Sequence, residues 1–129
     1  MLQLIDIKKS YGSRNILLIP KLKISPGAYW IKGNNGSGKT TLMKIISGVI
    51  PYEGSVILNG IDLNKNPMSY RKQVSFAEAE PVFPGFVTGW DLIRFVQNTR
   101  KEKEESVQSL VDYFGVSSFL NYEVGMYSS

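Results

Sequence analysis

The stretch Gly33-Asn34-Asn35-Gly36-Ser37-Gly38-Lys39-Thr40 fills every position of the pattern G-x-x-x-x-G-K-[ST]. These residue types at this spacing are suited to phosphate chemistry. The glycines let the backbone bend until successive amide N–H groups converge on an anion. Asn34 and Asn35 tolerate the unusual dihedrals that such a loop needs. Lys39 sets a point charge against the outer phosphates of a polyphosphate. The Thr40 hydroxyl is a hard oxygen donor of the kind Mg²⁺ takes. The expected ligand is therefore a nucleoside polyphosphate with its magnesium, cradled by the amides from Asn35 to Thr40.

A loop of this kind has to be held between a strand and a helix. Gly27-Ala28-Tyr29-Trp30-Ile31-Lys32 reads as a short buried strand, entered through the turn residues Ser25-Pro26-Gly27. Thr41 to Gly48 reads as a helix, with Leu42, Ile45 and Ile46 at core spacing and glycine as its stop. Its N-terminal amides and positive dipole end face the same anion. Around this unit, Leu2 to Lys8 alternates like a strand with one covered face. Asn15 to Ser25 reads as two strand pieces broken at Pro20. Ser55 to Leu58 leads into an Asn59-Gly60 hairpin turn. A helical turn is expected at Ser69 to Lys72, and a buried strand at Gln73 to Ala77.

Past Pro81, Pro84 and Gly85 the period becomes helical. Thr88-Gly89-Trp90-Asp91 has capping-box spacing, with Asp in place of Glu. Leu92, Ile93, Phe95 and Val96 are the expected buried stripe of the first helix, and Phe86 and Trp90 are read as core. A second helix runs from about Lys103 to Phe114, apolar at Val107, Leu110, Val111 and Phe114, and ends at Gly115. The expected organisation is an αβ core over about 1–80 and a helical insert over about 86–126.

The neighbourhood of the loop carries a family resemblance. Tyr11 precedes it in Lys9-Ser10-Tyr11-Gly12. After it come Gly48, Pro51, Gly54 and Gly60 in Gly48-Val49-Ile50-Pro51-Tyr52-Glu53-Gly54-Ser55-Val56-Ile57-Leu58-Asn59-Gly60. Along nearly the whole chain this resembles the ATP-binding cassette ATPases, the motor domains of ABC transporters. The resemblance implies an α/β fold, a P-loop nucleoside-triphosphatase core with an antiparallel β edge and a small helical subdomain. It implies ATP and Mg²⁺ as ligands. Tyr11 would stack on adenine. Gly33, Asn34, Asn35, Gly36, Ser37, Gly38, Lys39, Thr40 and Thr41 would surround the phosphates, with Lys39 and Thr40 contributing to catalysis and Thr41 near the α-phosphate. Stacking reads the face of a base and no edge, so discrimination between ATP and GTP is expected to be weak.

The chain departs from the family at the Q-loop, where a glutamine ordinarily meets Mg²⁺. In Val74-Ser75-Phe76-Ala77-Glu78-Ala79-Glu80-Pro81 a gap-free match puts Ala79 at that position. Either Glu78 or Glu80 reaches the metal after a one-residue slip, or the site lacks that ligand; the reading favours Glu80 beside Thr40. The family's cassettes are also longer than this chain. Gly125-Met126-Tyr127-Ser128-Ser129 matches the opening of their signature motif, and no Walker B Asp-Glu pair or switch histidine is found. The expectation is the N-terminal portion of a cassette, binding ATP poorly and hydrolysing it little or not at all by itself.

Composition agrees with a globular domain. The 129 residues are 43% hydrophobic, enough for a packed core. The net charge of +4 comes from scattered lysines and arginines, so no direct nucleic-acid partner is expected. The absence of cysteine fits a reducing compartment. Apolar runs such as Ile16 to Ile19 are far short of the roughly 20 residues that span a bilayer. The expected setting is cytoplasmic, on the inner face of the membrane through a membrane-spanning permease, with a second cassette ATPase as dimer partner. Two other readings remain: a soluble cassette ATPase working on ribosomes or DNA, and a nucleotide-responsive interaction module without turnover. The helical insert has neither heptads nor a basic arm, which weighs against ribosomes and DNA.

Overall fold

The computed structural model describes residues 1–78 and 82–127. The chain forms two compact units, Met1–Ala77 and Glu78–Ser129.

The first unit is built on an antiparallel sheet of four strands: β1 (Leu2–Tyr11), β2 (Arg14–Ile24), β3 (Glu53–Leu58) and β4 (Ile61–Asp62), in the order β2-β1-β3-β4. Helix α1 (Lys39–Ile46) and the short helix α2 (Pro67–Arg71) complete it. Leu4, Ile7, Val56, Ile45, Leu63 and Tyr70 are buried together as its core. Leu4 and Ile7 are an odd number of positions apart, so strict alternation would put them on opposite faces. Asp6 resolves this with a left-handed φ of 50°. The pairing of β1 with β3 slips by one residue between Ile5 and Lys8, a bulge that turns both side chains inward. Gly54 faces this bulge at φ 101°. A Cβ there would collide with the carbonyl oxygens of Ile5 and Asp6, so glycine is required.

The Asn59-Gly60 turn forms as expected, with both residues at positive φ (51° and 83°) and Leu58 paired to Ile61. Other expectations need correction. β2 is one continuous strand through Pro20. It is an edge strand, and on an edge the missing N–H of proline costs no ladder bond. Neither Gly27–Lys32 nor Gln73–Ala77 is a strand among the described residues, and Trp30 is 85% exposed. Extended conformation becomes a strand only when a neighbour supplies a ladder, and the four-stranded sheet offers these segments none.

The second unit contains α3 (Gly89–Arg100), α4 (Glu104–Phe114) and a 3₁₀ turn (Val124–Met126). The capping box at α3 is complete. The Asp91 amide donates to Thr88 Oγ1 at 3.2 Å, and the Thr88 amide donates to Asp91 Oδ2 at 2.9 Å. Gly115 ends α4 at φ 63° as a left-handed cap. Within this unit Gly89, Val111 and Leu120 are buried. The expected stripe is only partly covered. Leu92 and Ile93 are half-buried, whereas Phe95 (70% exposed), Val96, Leu110 and Phe114 face outward. Phe86 is exposed too, and Trp90 is half-buried with the Arg94 guanidinium 5.9 Å from its ring centroid. Two short helices have too little area to cover every apolar side chain they carry. Among the described residues, no helix is long and apolar enough to cross a membrane.

Candidate nucleotide site

The glycine loop joins the sheet unit to α1, and its shape depends on two glycines. Gly36 and Gly38 adopt φ 78° and 89°, a region that side chains disfavour. Asn34 and Asn35 do not take the unusual dihedrals expected of them, because the two glycines absorb the reversal. Packing reinforces the choice at Gly38, where a Cβ would lie 3.0 Å from Leu17 Cδ2 and 3.3 Å from the Ile16 carbonyl oxygen. At Gly33 a Cβ would meet Ser37 Oγ at 2.6 Å.

Gly38 caps α1 with no side-chain hydrogen bond, and the first turn carries no acid. The first intrahelical bond runs from the Leu42 amide to the Gly38 carbonyl at 2.8 Å. The amides before Leu42 therefore have no helical acceptor, as at every helix start. With the helix dipole they form a positive end open to an anion. Lys39 Nζ donates to the carbonyls of Gly33 at 2.8 Å and Asn34 at 3.0 Å. An ammonium has three protons, so one remains for a ligand while the loop fixes the position of the charge.

Tyr11 closes the site. It ends β1, is 52% exposed, and lines with Asn35, Gly36, Gly38, Lys39, Thr40 and Thr41 a cavity of about 550 Å³. Lys9 Nζ sits 4.9 Å from the Tyr11 ring centroid, covering one face of the ring. Gly33, Asn34 and Ser37 stand behind this lining and shape the loop. The Ser37 amide is engaged with the Asn34 carbonyl at 3.1 Å. Of the two candidate Q-loop acids, Glu78 is exposed, while Glu80 and Ala79 lie outside the described residues.

The sequence reading missed Arg14 and Ile16, which also line the cavity. Arg14 pairs with Tyr11 across the Gly12-Ser13 turn. The signal was present in Gly12, a turn glycine at φ 57°, but the strand was read as starting only at Asn15.

A glycine loop feeding a helix N-terminus, an aromatic over the same cavity and a neighbouring antiparallel sheet define the P-loop nucleoside-triphosphatase class. Residues 19–129 match the family model described as ABC transporter, and the chain belongs to that family. It is 30% identical over 130 aligned positions to the lantibiotic transport ATP-binding protein SrtF of Streptococcus pyogenes, covering 99% of this chain and 56% of that protein. Two solved structures share the fold. One is an ATP-binding subunit of an ABC transporter (TM-score 0.76, 22% identity, 98% of this chain and 55% of that one). The other is the ATP-binding cassette MJ0796 bound to ADP and Pi (TM-score 0.81, 21% identity, 99% of this chain and 63% of that one). The chain thus spans about half the length of the curated relatives it matches.

Proposed function

We propose that this chain binds ATP with Mg²⁺ in the cavity between Tyr11 and the glycine loop, as nucleotide-binding machinery of an ABC transporter. The observation carrying this reading is that one cavity brings together an aromatic platform, a lysine and the start of a helix from separate parts of the sequence. The open face of Tyr11 takes the base, and stacking of this kind contributes about 1–3 kcal/mol per base in nucleic-acid complexes. Lys39 and the amides from Asn35 to Thr40 hold the phosphates, and Thr41 lies toward the α-phosphate. Positioning and charge neutralisation are most of what phosphoryl transfer asks of a protein.

The donor set fits magnesium held mainly by its nucleotide. The described lining offers the threonine hydroxyls of Thr40 and Thr41, of which Thr40 is the proposed ligand, and no carboxylate. Mg²⁺ commonly takes only one or two protein ligands beside phosphates and water. When bound, the ion neutralises charge on the phosphates. Glu80 is the proposed additional ligand. No lining residue among those described can orient an attacking water, so these residues are expected to bind ATP with little turnover. Hydrolysis in the whole protein would drive transport through a permease, with a second cassette as partner at the inner face of the membrane. The relatives' names, such as lantibiotic transport ATP-binding protein, support this over a ribosome or DNA role. The helical unit, proposed as the insert over about 86–126, bears an apolar groove of about 410 Å³ including Leu92, Val96, Leu110 and Phe114. A permease is the proposed occupant of that face.

Titration of the chain with MgATP by calorimetry tests the nucleotide reading. Lys39→Ala should weaken binding by at least about 100-fold, about 2.7 kcal/mol. Micromolar affinity retained in that variant would overturn the assignment.

A further inference from the structure

Arg14 opens β2 directly opposite Tyr11, with only Gly12 and Ser13 between them. Directly opposed residues of an antiparallel pair project from the same sheet face, their Cβ atoms about 4.5–5.5 Å apart. The Arg14 side chain therefore leaves the sheet beside the Tyr11 ring. Both border the cavity that also exposes Lys39, Thr40 and Thr41. The guanidinium joins no ion pair among the described residues. The described lining holds two cations, Arg14 and Lys39, and no anion to balance either.

The geometry points to Arg14 as a second phosphate-binding cation of this site, directed at the phosphate nearest the ribose. One hairpin would then clamp both ends of the nucleoside phosphate, Tyr11 by the base and Arg14 by the α-phosphate. This inference rests on the nucleotide reading above and assigns a residue that reading does not use. A purine edge offers a guanidinium only neutral acceptors. A phosphate offers full charge and two oxygens at matching spacing, and such charge-assisted pairs are about twice as strong. Lys39 and the start of α1 occupy the outer-phosphate end of the cavity. Arg14 starts from the base end, so the inner phosphate is the one within its reach. It should therefore act on ATP and ADP alike.

The test titrates the unchanged chain, Arg14→Ala, Arg14→Lys and Lys39→Ala with ATP and ADP, at about 50 mM and about 300 mM salt. A thermal melt of each variant reports folding. Arg14→Ala should weaken ATP and ADP by the same factor, roughly tenfold, the scale of one charge-assisted contact. Its binding should also respond less steeply to salt, and Arg14→Lys should recover part of both effects. Affinity for ATP within about twofold of the unchanged chain would overturn the inference. So would a loss of affinity that tracks a lowered melting temperature and leaves the salt response intact, the mark of a merely structural hairpin residue. A loss confined to ATP would also overturn it, by placing Arg14 at the γ-phosphate. If Lys39→Ala and the unchanged chain bind ATP equally, both the nucleotide reading and this inference fall. If only the Arg14 variants behave as the unchanged chain does, the nucleotide reading stands alone.

Discussion

Lys39 and Gly38 divide the work of the loop between charge and shape. Lys39 is tethered through the Gly33 and Asn34 carbonyls, so its charge is already in place before a ligand arrives. That preorganisation cuts the ordering cost of binding. Gly38 supplies the shape, combining φ 89° with contacts of 3.0–3.3 Å that a methyl group would make tightly. Gly38→Ala is therefore expected to destabilise the loop by about 1–3 kcal/mol, since a non-glycine residue is strained in this region. MgATP titration should show a loss of affinity comparable with that of Lys39→Ala, and near-normal affinity would mean the left-handed turn is dispensable.

At the scale of elements, α3 depends on its first turn more than on its apolar face. Phe95 and Val96 are exposed, so packing secures little of its length. The capping box compensates by satisfying amides that would otherwise lack partners. The Thr88 hydroxyl and amide, which both donate to the Asp91 carboxylate, hold that acid below its ordinary value of 3.8, with Arg94 assisting. A carboxyl depressed in the folded state adds stability above its unfolded value, and this is lost as pH falls through the folded one. Thr88→Ala should cost about 1 kcal/mol at neutral pH. The deficit should shrink as pH falls from 3.8 through the lower folded value, where Asp91 takes up its proton and no longer accepts well from Thr88 in the unchanged chain either. Melting curves at neutral and acid pH measure both, and a deficit independent of pH would rule the box out as its source.

At the scale of the first unit, Tyr70 ties α2 to the end of α1. Its ring is fully buried in the core, and its hydroxyl donates to the Ile46 carbonyl at 2.7 Å. Burial first, and the neighbouring Tyr52 second, push the hydroxyl from 10.0 up to about 12. The folded state thus favours the neutral phenol. Stability from this group is intact below pH 10 and falls as pH rises toward 12, because the unfolded chain releases its proton first. Tyr70→Phe should lose about 1 kcal/mol at neutral pH through the missing hydrogen bond. Its melting temperature should then decline less between pH 10 and 12 than that of the unchanged chain. Parallel declines would show that other groups govern alkaline unfolding.

What the sequence determined by itself is local. The glycine loop, the Asn59-Gly60 turn, the Thr88 and Asp91 cap and the Gly115 stop were legible because each interaction closes within a few residues. Tertiary structure decided whatever depends on a partner remote along the chain. Pro20 was expected to break a strand and does not, because β2 lies on the sheet edge. The alternation of β1 gave no hint that Asp6 would reset it, since the bulge exists only against β3 and Gly54. The apolar residues of α3 and α4 were legible as helical faces, but whether such a face is covered depends on the area of its neighbours. Arg14 stood in plain view beside Tyr11, yet only strand pairing brought its side chain to the same cavity. Local backbone chemistry can be read along the chain, whereas burial and shared cavities depend on which distant segments the folding chain brings into contact.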